Sequence, residues 1–365
     1  MIAEMKPGES AGQSSTTEAW ETTDDAALQP AFSVIVVNWN TCDYLQECLQ
    51  SILNEPGIRI LSDEPPNIPT RRTESHLPVY QSTLLPIEVI VVDNASTDES
   101  VAMMHSRFPQ VRLIVNEQNL GFAAANNQAI DQARGRVLFL LNPDAYLRRG
   151  ALTGLARFLQ EHPEAAAAGP NVLNPDSTWQ AAVFRFPTLW DLFCEAVFLS
   201  VIWPHSRLFA RKELGGFDRD AVRQVDWIQG CALAIRREVW EAVGPFDEGY
   251  WMYVEELDWC RRAHVLGYRL FFTPDAEVVH YGKRSVGRAR RSVLPLGFRS
   301  HFRYFRKFDG RGTELAVRAI TLLQMGLRAL ASAGMLAVST GAERARWHEN
   351  WRAYTAVMRE ALRIK

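Results

Sequence analysis

The chain has 365 residues, 47% hydrophobic and 22% charged, enough for one large domain or two modest ones with a sizeable core. Its net charge of −2 conceals an asymmetry: from Tyr281 onward there are 18 Lys and Arg against 5 Asp and Glu, leaving 22 against 37 in residues 1–280. Five cysteines, an odd number with no C-x-x-C spacing, argue against a disulfide framework and a zinc site and suit a reducing cytoplasm.

Residues 1–30 are rich in Ser, Thr, Glu and Ala, carry no apolar period or signal-peptide pattern, and read as a disordered tail. "FSVIVVNWN" (32–40) then reads as a buried strand, apolar at nearly every position. The helix expected from about Asp43 places Leu45, Cys48, Leu49 and Ile52 on one face. Residues 54–86 hold six prolines and many charges with no period, and read as a long structureless insertion. "IEVIVVDNAS" (87–96) is a second buried strand ending at Asp93-Asn94, with a helix start over Ser96 to Ser100. "VRLIVNEQNLGFA" (111–123) supplies a third strand and a turn at Asn119-Leu120-Gly121, then a helix to about Arg134 that Gly135 closes as a C-terminal cap. "LFLLNPDAYL" (138–147) completes a fourth strand, apolar over Val137 to Leu141 and stopped by Asn142-Pro143-Asp144. Buried strands alternating with helices predict a parallel α/β sheet.

Three of these four strands end in polar residues: Asn38 and Asn40, Asp93 and Asn94, Asn142 and Asp144. Open α/β sheets bind ligands in the crevice beyond such ends. One Asp after a proline is accounted for by an Asx turn, but agreement among several strand ends favours a site. No G-x-G-x-x-G follows the first strand and no P-loop motif occurs, which argues against the usual dinucleotide fold and removes the P-loop reading. Asp93 suits a base N–H or a ribose hydroxyl. Asp144 is a hard oxygen ligand, suited to Mg²⁺ or Mn²⁺ on a diphosphate.

Taken in order, "SVIVVNWN", "VIVVDNASTDES", "NLGFAAANNQA", "LFLLNPDAYL" and "GPFDEGYWMYVEELDWCRRA" resemble the successive blocks of glycosyltransferase family 2, its rhamnosyltransferase-like bacterial branch above all, over roughly residues 32–285. The resemblance implies a GT-A fold, a mostly parallel sheet flanked by helices. It also implies inverting transfer of a sugar, rhamnose among the candidates, from a nucleotide-diphosphate donor to a hydroxyl of a glycan or lipid-linked acceptor. On the donor side it implies Asn40, Asp93 against the base, Asn94, Asn119, Gly121, Asn142 and Asp144. Asn142-Pro143-Asp144 stands where most members have Asp-x-Asp, with Asp144 as the metal ligand and Asn in place of the first Asp.

The acceptor half begins with "QVDWIQGCALAIRREVW" (224–240), a turn, a strand from about Cys231 and a helix start. Asp226, Trp227 and Gly230 are its candidates: Trp227 as a sugar platform or a core residue, Gly230 as a point of close approach or a plain turn. In "YVEELDWCRR" a helix buries Val254, Leu257, Cys260 and His264, while Glu255, Asp258 and Arg262 read as a salt-bridged outer face. Glu256 stands apart from that trio in the first turn, where the helix dipole favours an ionised carboxylate, and a general base needs one within reach of the acceptor hydroxyl. The family carries Glu-Asp at these two positions, the second being the base, so the resemblance places the base at Glu256 with Glu255 as second choice. It further implies a metal-binding His280, just after the strand residues Val278-Val279, joining Asp144 around Mg²⁺ or Mn²⁺. Lys283 and Arg284 are candidates to brace the leaving diphosphate.

"PTLWDLFCEAVFLSVIWP" (187–204) reads as a core helix or as a lip for a lipid-linked acceptor. "LAVRAITLLQMGLRALASAGMLAV" (315–338) is interrupted by Arg318 and Arg328. The charge-free piece Ala329 to Ala342, 14 residues, is too short to span a bilayer. With its basic flanks it reads as an interfacial helix or helical hairpin on an anionic membrane, the competing accounts being packing on the catalytic domain or on a second subunit of a homo-oligomer. The expected organisation is a tail (1–30), a GT-A domain (31–290, with the 54–86 insertion) and a basic, partly apolar helical extension (291–365). The expected setting is the inner, cytoplasmic face of the cell membrane, without nucleic acid. The alternatives are a nucleotidyltransferase, whose Gly-rich loop is missing after the first strand, and a non-catalytic nucleotide-sugar-binding protein of the same fold.

Overall fold

The computed structural model describes residues 29–61, 84–212, 217–282 and 290–363. Most of the expected tail, residues 62–83 of the Pro-rich stretch, and Lys283 and Arg284 lie outside the described residues.

Strand β1 (Phe32–Asn38) lies between β3 (Leu85–Asp93) and β5 (Val137–Leu141), parallel to both. Unalternating Val, Ile and Leu suit strands covered on both faces. Val34, Val36, Val89, Val91 and Phe139 enter one core, Ile35, Ile90, Val92, Leu138 and Leu140 the other. Helices α1 (Cys42–Leu53), α2 (Ser100–Arg107) and α4 (Ala151–Glu161) close the first face. The second is closed by α3 (Phe122–Gln132), α7 (Arg237–Val243) and α8 (Glu255–Val265). Helix α1 buries the four residues expected of it.

The far edge of β3 is shared by β2 (Ile58–Ile60) and β4 (Arg112–Val115), both parallel. Beyond β5 the sheet becomes mixed. Strand β11 (Ala232–Arg236) is antiparallel to β5 and to β7 (Ala165–Leu173), and β12 (Arg269–His280) runs parallel to β7. Its outer edge takes β9 (Arg223–Val225) and β6 (Ala145–Leu147), both antiparallel. A small ribbon joins β8 (Val183–Phe184) to β10 (Trp227–Ile228). Among the described residues this is the expected mostly parallel sheet flanked by helices, followed by a helical extension.

Three local expectations fail. The 54–86 stretch is not structureless throughout, since β2 forms inside it and β3 begins at Leu85. Gly135 is no left-handed cap: α3 ends at Ala133, whose ψ of 147° is extended. A Cβ at Gly135 would collide with the backbone of Phe32 and Ser33, and Gly135 N donates to Ser33 Oγ (2.8 Å) and to Glu88 Oε1 (3.2 Å). The glycine is there for close approach. His264 is exposed, because the buried face of α8 runs through Leu257, Cys260 and Ala263 and then leaves the core.

The segment 187–204 is buried in its first helix and exposed in its last turn. Helix α5 (Leu189–Ala196), started by a capping box of Thr188 and Asp191, buries Cys194 and Ala196, whereas α6 (Leu199–Ile202) exposes Val201 and Ile202, with Trp203 after it. Helix α9 (Arg290–Val338) is kinked at Gly310, where φ is 84°. Its first half packs Phe302, Tyr304 and Phe305 against Tyr250, Val254 and Leu257. Its second half pairs with α10 (Gly341–Leu362) through Met325, Ala329, Tyr354 and Val357. Arg318, which interrupts the apolar run in sequence, turns inward. It pairs with Glu314 (2.8 Å) and donates to the carbonyls of Glu360 and Ala361 at the end of α10.

Candidate active site

The loops after β1 and β3 form one hydrogen-bonded frame. Asn38 Nδ2 donates to Asp93 Oδ2 (2.8 Å), and Ser96 N donates to Asp93 Oδ1 (2.8 Å). Asn40, exposed and left-handed at φ 53°, accepts from Thr97 N (2.7 Å) and donates its own N–H to Ser96 Oγ (2.9 Å). Buried Asn94 carries the frame onward: Nδ2 donates to Asn119 Oδ1 (2.9 Å) and Gly121 O (3.2 Å), and Oδ1 accepts from Leu120 N (3.0 Å). At Gly121, φ is 86° and a Cβ would collide with Trp251 O, which accepts from Phe122 N (3.1 Å). Asn40, Asp93, Asn94, Asn119 and Gly121 thus meet, with Asp93 and Asn94 buried as framework and Asn40 at the surface. Sequence reasoning had Asn38 only as a polar strand end and Ser96 only as a helix start, and it missed Asp98. Asp98 accepts from Cys42 N (3.0 Å) and Ser100 N (3.1 Å) and so ties the starts of α1 and α2. The Ser-Thr-Asp run after a strand was the available signal.

Asp144 and His280, 136 positions apart, come together because β6 pairs with the end of β12, matching Ala145 to His280. Gln180 settles the imidazole. Its Nε2 donates to Asn174 Oδ1 (2.8 Å) and to His280 O (3.2 Å), so its Oε1 faces His280 Nδ1 (2.5 Å) and needs a proton there. In the neutral ring Nε2 is then the lone-pair nitrogen and accepts from Asn142 Nδ2 (3.3 Å). The same nitrogen lies 3.2 Å from Asp144 Oδ1. With Nδ1 turned to Gln180, Nε2 and the Asp144 oxygen are left facing each other, placed to share one cation. A carboxylate oxygen and an imidazole nitrogen, completed by diphosphate oxygens, suit Mn²⁺ or Mg²⁺, and a partner that fixes the imidazole tautomer is what such ligands need. Among the described residues no group of three or more His, Cys, Asp and Glu could hold a metal by itself, so the pair requires substrate oxygens. Gln180 has no sequence signal, lying 100 positions from its partner.

The Glu256 side is joined to this pair at the junction of β5 and β11, where Asn142 N donates to Cys231 O (3.0 Å). Next to it, Gly230 N points at Glu256 Oε1 (3.5 Å), and a Cβ on Gly230 would meet the Phe122 ring at 3.3 Å. Gly230 is therefore a close-approach glycine. Glu255 and Glu256 are only 3% and 8% exposed, and Oε2 of each is buried with no hydrogen-bond partner. Burial pushes the Glu256 carboxyl above its usual range; burial and the neighbouring Glu256 push Glu255 well above it. The dipole of α8 does not outweigh this desolvation. Tyr253 and Val254, just before α8, are left-handed at φ 64° and 77°. The Tyr253 phenol is pushed up to about 12 by burial and by Glu255, Glu256 and Asp144.

Of the salt-bridged outer face read for Glu255, Asp258 and Arg262, the Asp258–Arg262 pair forms, but the face is not an outer one. Asp258 is 0% exposed and accepts from Arg262 Nε (2.8 Å), Tyr250 OH (3.0 Å) and Lys307 Nζ (2.6 Å), because α9 covers that side of α8. Glu255 takes no part in that pairing. Trp227 stacks on Phe184 (centroids 4.6 Å apart) and donates its indole N–H to Arg185 O (3.0 Å), while Asp226 Oδ2 accepts from Phe186 N (2.9 Å). Both brace the ribbon of β8 and β10, which lies beside Glu256 through Gly230.

A family model described as glycosyl transferase family 2 matches residues 33–225. An N-acetylglucosaminyl-diphospho-decaprenol L-rhamnosyltransferase of Mycobacterium tuberculosis is 30% identical over 235 residues, 60% of this chain and 75% of that protein. The rhamnosyltransferase WbbL of Escherichia coli is 36% identical over 84 residues, 22% of this chain and 30% of its own. Among solved structures, a mannosyltransferase from Pyrobaculum calidifontis with GDP-mannose and Mn²⁺ aligns over 95% of this chain and 91% of its own, at 18% identity and a TM-score of 0.49. The match sets the nucleotidyltransferase alternative aside, and the chain belongs to glycosyl transferase family 2, as a rhamnosyltransferase-like glycosyltransferase.

Proposed function

We propose that this enzyme is an inverting, metal-dependent transferase that moves a sugar, rhamnose first among candidates, from a nucleotide-diphosphate donor to a glycan or lipid-linked acceptor. The observation that carries the reading is the 3.2 Å contact of Asp144 Oδ1 with His280 Nε2, set one strand junction from the buried carboxyl of Glu256. Asp144 and His280 would hold Mn²⁺ or Mg²⁺, which when bound offsets the charge that develops on the departing diphosphate. The loops at Asn40, Asp93, Asn94, Asn119, Gly121 and Asn142 shape the donor side. Glu256 takes the proton from the acceptor hydroxyl. The acceptor oxygen then bonds to the anomeric carbon on the face opposite the diphosphate, whose C–O bond breaks. A carboxyl raised by burial holds that proton better than an ordinary one.

The name of the Mycobacterium tuberculosis relative makes a polyprenyl-diphosphate-linked amino sugar the first acceptor to try. Peripheral contact with the inner face of the cell membrane accords with it. The outward side of α9 carries Leu323, Leu327, Leu330 and Val338, the last two 73% and 75% exposed, while Arg318 is consumed inside the hairpin. One apolar window of this helix is also long enough to cross a bilayer by length and composition alone. Exposed Val201, Ile202 and Trp203 lie near it, since Arg328 of α9 sits over the Phe198 ring at 5.3 Å. The test is transfer from a panel of nucleotide sugars to that acceptor, with Mn²⁺ and with chelator. Transfer of one sugar, lost in chelator, supports the reading; full transfer in chelator, or an axial–equatorial outcome that retains the donor configuration, refutes it.

A further inference from the structure

The loop from Asp247 to Val254, which delivers Glu255 and Glu256 to the site, is gripped by one face of α9. Gly297 lies against the Tyr253 ring, where a Cβ would come within 3.1 Å. Ser300 Oγ donates to Met252 O (3.0 Å). Arg303 Nη2 donates to both Asp247 oxygens (3.0 and 3.1 Å), and its guanidinium fills the space that a Cβ on Gly249 would need. Lys307 Nζ reaches Asp247 Oδ2 (2.9 Å) and Asp258 Oδ2 (2.6 Å). Positions 297, 300, 303 and 307 recur at three and four, one side of a helix. Against the burial that raises it, hydrogen bonds from Lys307, Gly249 and Arg303 hold the Asp247 carboxyl down at about 2.

What this grip restrains is a strained backbone. Consecutive left-handed φ values at Tyr253 and Val254 are unfavourable for residues with a Cβ, doubly so for β-branched Val, and such strain persists only where the surroundings over-determine it. Relaxing either residue would rotate the first turn of α8 and carry Glu256 away from Gly230. The geometry points to Lys307 as a positioning residue for the acceptor-side carboxylate: by pairing with both Asp247 before the turn and Asp258 after it, it fixes the 253–254 turn and so the direction of Glu256. This inference rests on Glu256 as the base. It makes the first half of α9, outside the matched 33–225, part of the catalytic apparatus.

The test compares Lys307→Met with Lys307→Arg, reading three quantities: amide hydrogen exchange over residues 247–258, turnover at saturating substrates, and nucleotide-sugar affinity with Mn²⁺. Lys307→Met should speed exchange over 250–258 but not over 93–144. Its turnover should fall tenfold or more while donor affinity stays within twofold, and Lys307→Arg should restore both exchange and turnover. Should Lys307→Met not fold, the half-exposed Arg303→Ala is read the same way, with a several-fold loss of turnover. Parental exchange or parental turnover in the folded variant overturns the inference, as does donor affinity that falls in step with turnover. A Glu256→Gln enzyme that stays active would instead sink the base assignment, and the exchange readout on Lys307 would still judge the grip.

Discussion

Glu256→Gln separates catalysis from stability in a way that a structural carboxylate would not. The substitution keeps the shape beside Gly230 and removes the proton acceptor. A general base contributes typically ~10²–10⁴-fold, which at ~1.36 kcal/mol per tenfold is roughly 3–5 kcal/mol of barrier. The raised carboxyl fixes two signs. Only the ionised form accepts a proton, so the acid limb of the parental turnover profile should lie above the ordinary glutamic range of about 4.3. A carboxyl whose folded pKa exceeds its unfolded one contributes stability that is full below the unfolded pKa and is lost as pH rises through the folded pKa. The parent therefore carries a burden at pH 8 that Gln does not, and the variant should melt higher there, with the gap closing towards pH 4. The buried Oε2 without a partner locates that burden, since an unsatisfied buried acceptor costs on the order of 1–3 kcal/mol and more when charged. Turnover from pH 4.5 to 9 and melting curves over the same range are the assay. Turnover within tenfold of the parent, or a melting gap independent of pH, would refute the reasoning.

Glu255→Gln, which removes the more strongly raised carboxyl, should also melt higher at pH 8 but lose less turnover than Glu256→Gln; the reverse ranking of turnover would move the base to Glu255. Mn²⁺ with a nucleoside diphosphate should raise the parental melting temperature, by about 2.7 kcal/mol of stability at a hundredfold excess over the dissociation constant, and Asp144→Ala and His280→Ala should abolish the response; a full response in either would remove that residue from the metal site. Gly121→Ala, which combines a left-handed φ with a collision against Trp251 O, should destabilise by more than about 2 kcal/mol in denaturant titration. Sedimentation should carry the enzyme down with anionic vesicles and less so in high salt, because each basic residue near such a surface adds about 1 kcal/mol; Leu330→Asp with Val338→Asp should weaken it, and equal recovery on neutral vesicles, or a salt-insensitive dimer, would favour a subunit interface.

The donor half of the fold was legible because its information is local. Val34 to Val37 or Leu138 to Leu141 can be little other than buried strand, and polar residues at a buried strand's end have few uses besides a ligand or a turn. The family resemblance, rather than any local pattern, set His280 beside Asp144 in the sequence reading, and β6 on β12 brings the two into contact. The acceptor half was harder for a definite reason. A charged residue at helical spacing looks solvated until something covers it, and what covers Asp258 is Lys307, 49 positions later. Gly135 was misread on the same ground: a glycine after a helix fits a cap, whereas its real constraint comes from Ser33, 102 positions earlier.

Left-handed Tyr253 and Val254 were beyond any local rule, because propensity argues against both, Val most of all. Their strain and the two buried carboxyls behind them, each with one oxygen left without a partner, have the same direction of cause. Each is unfavourable where it stands, each lies within four residues of the others, and each is tolerated because large buried surfaces on either side hold the backbone. On one side Trp259 and Cys260 sit in the sheet's core; on the other Tyr250, Val254 and Leu257 sit against Phe302 and Phe305 of α9. Local sequence rules fail at such a place by necessity, since a base that is raised by desolvation has to be built against the preferences of its own residues. The C-terminal helices are then half of the support for Glu255 and Glu256, and the same helix that faces outward with Leu330 and Val338 faces inward with Lys307.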